Sequence, residues 1–199
     1  DKKVTPNENF EKENRKKHYT MSFYKKEDLY KLGLKDLGKN VFISKKCSIY
    51  TPENISIGDN VRIDDFCILS GHIKLHDNIH ISAFCSLHGQ MGIEIDSYSG
   101  LSPRTTIFSA MDDFSGNSLI NPMIDKELTN VTGGVVHLKK FTQMGANTIV
   151  FPKVTINEGA VTGAFTLVNT NLESWTINIG IPSRILKNRS KECLNKLKI

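Results

Sequence analysis

Residues 61–87 read VRIDDFCILSGHIKLHDNIHISAFCSL, and every sixth residue from Ile63 is aliphatic: Ile63, Leu69, Leu75, Ile81 and Leu87. Outward from this stretch the beat runs back through Ile57, Ile49 and Ile43 and forward through Ile95, Leu101 and Ile107. It resumes at Leu138, Met144, Val150, Ile156, Thr162 and Val168. Two slips of two residues, at Ile55-Ser56 and Ile93-Glu94, leave the rhythm intact. Neither a 3.6-residue helix nor an alternating strand has a period of six. Three such units make one coil of a parallel β-helix, so the repeat predicts an all-β, three-sided prism of stacked coils.

The beat also places the cysteines. Cys47, Cys67 and Cys85 each follow an aliphatic beat by four positions, and the same column continues as Thr105, Thr148 and Thr166. Three stacked, buried, unpaired thiols are expected, which suits a reducing cytoplasm. With no CxxC pair a zinc site is not expected, and His72, His76 and His80 read as surface residues.

The chain of 199 residues is about the size of one domain. A net charge of +5 is modest and its lysines are spread along the chain, so anionic small ligands are expected before nucleic acid. No stretch approaches the roughly 20 apolar residues of a membrane span, and no signal peptide opens the sequence. Residues 1–20 read as a charged leader, disordered or non-native. Residues 21–40 read as a helical cap, with a helix over Ser22–Leu32 that starts at Ser22, stops at Gly33 and covers the lower end of the stack. The coils occupy 41–180, and a tail at 181–199 carries Leu186, Cys193, Leu194 and Leu197 at the spacing of one apolar helical face.

One interruption breaks the stack. After Ile107 the beat is silent until Leu138, and the insert from Ser109 to His137 is rich in turn formers with no period of its own. A connection well beyond about 15 residues inside a compact fold is usually functional. The insert is therefore where a site is expected.

The repeat, the single long loop after the fourth coil and the exit sequence Gly180-Ile181-Pro182-Ser183-Arg184 together resemble the hexapeptide-repeat acyltransferases. Within that class the chain is most similar to galactoside and maltose O-acetyltransferases and to sugar acetyltransferases of polysaccharide clusters. The resemblance implies a left-handed β-helix, a homotrimer with sites between neighbouring prisms, and acetyl-CoA as co-substrate. It further implies a donor groove made by Ala146, Gly163, Ala164, Asn169, Thr170, Arg184 and Lys187. Small residues there leave room for the pantetheine arm, and the two cations suit phosphates.

The chain departs from its relatives at the base. They carry a loop histidine where counting from Pro103 reaches Asp112, followed by Asp113. A carboxylate of pKa near 4 is a poor base toward a hydroxyl, but it can hold and steer a protonated sugar amine. His88, one coil below Phe108, is the nearest imidazole and the other candidate base; Gln90 and His137 are the candidate acceptor contacts. The expected activity is acetyl transfer to a sugar hydroxyl or amine by direct attack in a ternary complex. A non-catalytic binding trimer that has lost the loop histidine is the alternative.

Overall fold

The computed structural model describes residues 22–197, and the charged stretch 1–20 lies outside them. Short parallel strands stack coil upon coil in a left-handed solenoid. One wall runs through Ser48–Tyr50, Ile68–Leu75, Ser86–Ile95, Thr106–Phe108, Ile149–Val150 and Leu167–Val168. A second runs from Phe42–Ile43 up to Thr176–Ile179. The third joins Asp36–Leu37, Ile55–Ile57, the far halves of the two long strands, Val136–Leu138 and Thr155–Ile156.

The six-residue beat is the inward-facing set. From Ile43 to Val168 every beat residue is buried except Ile49, which is half-buried against the same core. Each such side chain contributes about 1.5–3 kcal/mol on burial, so the repeated column drives the stack. The cysteine column is equally regular. Ser48 N–H donates to the Cys67 carbonyl at 2.8 Å, Ile68 to Cys85 at 2.9 Å, Ser86 to Thr105 at 3.0 Å and Thr106 to Thr148 at 2.9 Å. Cys47, Cys67 and Cys85 are buried and unbridged, and burial pushes the Cys47 thiol up to about 12.

Tight corners need left-handed backbone. Asn60, Asn78, Tyr98, Phe141 and Trp175 repeat it on one corner, and Phe66, Phe84, Arg104, Asn147 and Phe165 on another. Asparagine tolerates this region, while aromatic residues there gain from stacking: Phe66 lies on Phe84 at 5.0 Å and Tyr98 on Phe141 at 5.4 Å.

The two ends differ from the expectation in detail. The lower helix covers only Lys26–Tyr30, because Phe23 pairs with Ser44 as an extended edge and is buried there. Gly33 still ends the segment at φ +73°, and Leu29 seals the core. At the upper end Arg184–Asn188 forms an antiparallel strand on Thr176–Ile179, and the expected C-terminal helix is a short 3-10 stretch, Glu192–Lys196. Arg189 fixes this tail by donating to the carbonyls of Phe141 at 2.7 Å and Gly159 at 2.9 Å, with its guanidinium over Trp175.

Candidate active site

The extra residues all fall on one corner of the prism. The slip after Ile49 forms a 3-10 turn, Pro52–Asn54, and the slip after Leu87 becomes the bend Gly89–Gly92 inside the long strand Ser86–Ile95. The insert after Ile107 leaves from the same corner one coil higher. The coil between the two slips has no extra residues, so it is recessed. Gly71 makes its turn at φ +87°, and a Cβ there would stand 2.5 Å from the Gly89 carbonyl carbon. A groove of ≈ 420 Å³ results, lined by Thr51, Ser70, His72, His88 and Gln90 among others.

Above it the insert folds back as a hairpin, Ala110–Asp112 against Val131–Gly133. Ser109 anchors its root. The fully buried hydroxyl donates to the His88 carbonyl at 3.0 Å and accepts the Met91 N–H at 2.8 Å, while Gly134 N–H donates to the Ser109 carbonyl at 2.9 Å. Gly133 is required beside this anchor, since a Cβ would lie 2.2 Å from the Ser109 carbonyl oxygen. Under the hairpin lies a second cavity of ≈ 360 Å³, lined by Gln90, Met111, Asp112, Asn121, Lys126 and Thr129 among others. Gln90 lines both cavities, so they meet at one ledge.

The adjacent aspartates are not equivalent. Asp113 accepts the Ser115 N–H at 2.9 Å and the Asn130 amide at 3.2 Å, and these bonds hold its carboxyl below the usual range. It is committed to shaping the loop. Asp112 has no side-chain partner among the described residues and faces the cavity with Gln90 and Lys126. A free carboxylate and an ammonium on one wall can hold a ligand that carries both signs of charge.

The two histidines also part company. His88 stacks on Phe108 at 5.1 Å with the rings 8° apart, and burial holds its imidazole below the ordinary value, hence neutral at pH 7. It lines the recessed groove rather than the loop cavity. His137 returns to the third wall, where its Nε2 lies 3.1 Å from an Asp96 oxygen; it lines neither cavity. Asn121, Lys126 and Thr129 are cavity residues that the aperiodic insert gave no means of singling out.

The seven residues expected to hold the donor lie on the upper coils. Ala146 accepts the Phe165 N–H at 2.8 Å, and Gly163 packs under Ile179, which pairs with Arg184. Asn169 and Thr170 follow the strand Leu167–Val168 and are exposed. Arg184 and Lys187 are exposed cations without a side-chain partner among the described residues. None of the seven lines the groove or the loop cavity.

No family model matches the chain. Over 177 residues it is 41% identical to the dTDP-4-amino-4,6-dideoxy-D-glucose acyltransferase of Escherichia coli, covering 87% of this chain and 92% of that protein. Among solved structures it is similar to AntD, an N-acyltransferase from Bacillus cereus in complex with dTDP and 3-hydroxybutyryl-CoA, at 47% identity and a TM-score of 0.86. That match covers 88% of this chain and 94% of the other. The Bacillus protein has also been solved with dTDP-4-amino-4,6-dideoxyglucose and coenzyme A, and in forms with one serine or one aspartate replaced. A hexapeptide-repeat acetyltransferase from Vibrio cholerae, 17% identical with a TM-score of 0.51 over 84% of this chain and 82% of the other, shares the fold alone.

Proposed function

The chain belongs to the sugar acyltransferases built on hexapeptide-repeat coils, and from that premise we propose that it acylates the 4-amino group of a dTDP-linked 4-amino-4,6-dideoxy sugar. Acyl-coenzyme A is the donor. The observation that carries the reading is the uncommitted Asp112 carboxylate on the loop cavity, in the slot where a hydroxyl-acylating relative would need an imidazole.

The acceptor explains why no loop histidine is needed. An amine of pKa about 8 is about one-tenth neutral at pH 7, and its free form attacks a thioester unaided. A sugar hydroxyl has no such fraction and requires a base. Asp112 holds the ammonium form at the mouth of the reaction and orients the nitrogen as its proton leaves to solvent. The lone pair then attacks the thioester carbonyl, the tetrahedral oxyanion collapses to the amide as nitrogen loses its second proton, and the departing coenzyme A thiolate takes up that proton. Lys126, on the same cavity wall, is placed to meet the nucleotide diphosphate. In the Bacillus enzyme the replaced serine and aspartate stand ten positions apart. Ser86 and Asp96, Ser102 and Asp112, and Ser115 and Asp125 share that spacing here, and of these aspartates only Asp112 lines the loop cavity.

The donor lies along Ala146, Gly163, Ala164, Asn169 and Thr170, with Arg184 and Lys187 on its phosphates. Because these residues line neither cavity of their own chain, a neighbouring prism completes each site in a homotrimer. The exposed Phe165, Ile181, Ile185 and Leu186 at the upper end give that neighbour an apolar surface to cover. Unbridged buried thiols suit the cytoplasm, and no helix among the described residues is long and apolar enough to cross a membrane.

The test is release of free thiol from acetyl-CoA or 3-hydroxybutyryl-CoA with dTDP-4-amino-4,6-dideoxyglucose, against the same sugar bearing a 4-hydroxyl. An acylated product with the amine alone is expected. Equal turnover of the hydroxyl sugar, or none with either, overturns the proposal.

A further inference from the structure

Away from the loop cavity, two imidazoles and two carboxylates converge on the third wall. Lys74, Glu94 and His137 occupy one outward column across successive coils. His76 and Asp96 stand two residues beyond Lys74 and Glu94, so inward-facing Leu75 and Ile95 separate the columns. His76 Nε2 lies 2.8 Å from a Glu94 oxygen and 3.5 Å from an Asp96 oxygen; His137 Nε2 lies 3.1 Å from that same Asp96 oxygen. Ligand atoms of His76, Glu94 and Asp96 all fall within 4.8 Å of one another. In a tetrahedral zinc site with bonds of about 2.0–2.2 Å, neighbouring ligand atoms stand about 3.3–3.5 Å apart.

We infer that His76, Glu94 and Asp96 bind one zinc ion, with His137 holding the Asp96 carboxylate from outside that set. The donors argue for zinc over harder cations. An imidazole nitrogen beside two carboxylate oxygens suits zinc, whereas magnesium and calcium take oxygen alone. Two carboxylates also neutralise the dication. The strands that lead into the ligands are held in parallel register over two coils, so the site is largely formed before the ion arrives. Lys74, which sits 3.0 Å from Glu94 and is more than half exposed, turns to solvent when the ion binds. The ion would tie the coil that carries His76 to the one that carries Glu94 and Asp96, and the Asp96 bond to His137 extends that tie to Val136–Leu138, the strand on which the loop rejoins the stack. Its role is structural. Sequence spacing hides the site because its ligands are cross-coil neighbours, with His76 and Glu94 18 positions apart.

Zinc chloride titrated into the untagged, chelator-treated protein, followed by calorimetry and by thermal melting, tests this. One equivalent per chain with micromolar or tighter affinity and a raised melting temperature is expected, with no such response to magnesium. In His76→Gln both effects should vanish; Asp96→Asn serves if that variant does not fold. No stoichiometric uptake by the wild type, or uptake undiminished in the variant, overturns the assignment.

Discussion

The Ser109 hydroxyl is bonded to the backbone of His88, 3.0 Å from its carbonyl oxygen, and the Met91 N–H returns a bond to it at 2.8 Å. This clip ties the start of the long loop to the bend in the coil below, so the cavity with Asp112 and the groove with His88 share one foundation. Ser109→Ala leaves the part-buried Met91 N–H without its acceptor. A loss of about 1–3 kcal/mol in stability is expected from urea denaturation. A loss within 0.5 kcal/mol, the range of an ordinary surface change, would show that the clip does not hold the loop.

Arg184 stands on the exit strand opposite Ile179, exposed and without a partner among the described residues. In its proposed role as a phosphate contact it would bind ground and transition states alike. Arg184→Ala should therefore raise the KM for acyl-CoA by about 1.5–3 kcal/mol, roughly 10- to 150-fold, with kcat little changed. Steady-state kinetics with the acceptor saturating reads this directly. An unchanged KM would place the coenzyme elsewhere.

His88 gives the fold a pH signature. Burial lowers its folded-state pKa below the ordinary 6.5, so the unfolded chain binds the proton more tightly. Stability from this residue is complete above about pH 6.5 and is lost as pH falls through that value toward the lowered folded one. His88→Phe keeps a ring on Phe108 but cannot titrate. Denaturation midpoints of wild type and variant should run parallel above pH 7 and diverge below pH 6.5, the wild type falling further. Parallel curves throughout would contradict a half-buried imidazole.

Much of this architecture is legible in the sequence because burial repeats. Ile63, Leu69 and Leu75 are inward for the same reason, and the Cys47, Cys67, Cys85 column follows from the same register. Reading stops where the repeat stops. Phe23 looks helical in a run beginning at Ser22, yet the lowest coil offers it an open edge at Ser44. Leu186 fits a helical face, yet Arg184–Asn188 satisfies its backbone on Thr176–Ile179 instead. The two slips look like neutral stutters; in space they build the ledge beneath the loop, with Gln90 at the junction. Asp112 and His88 were both visible as candidates, but only the bonds around Asp113 show which aspartate is free.

The central claim is that this corner acylates an amine under the control of Asp112, and the direct measurement is kcat for two variants on dTDP-4-amino-4,6-dideoxyglucose. A lost charged hydrogen bond predicts a roughly 10- to 100-fold lower kcat for Asp112→Asn, with His88→Ala within about threefold of wild type. The reverse order, with His88→Ala down by roughly 10²–10⁴-fold and Asp112→Asn mild, is the behaviour of a general base and would contradict the account.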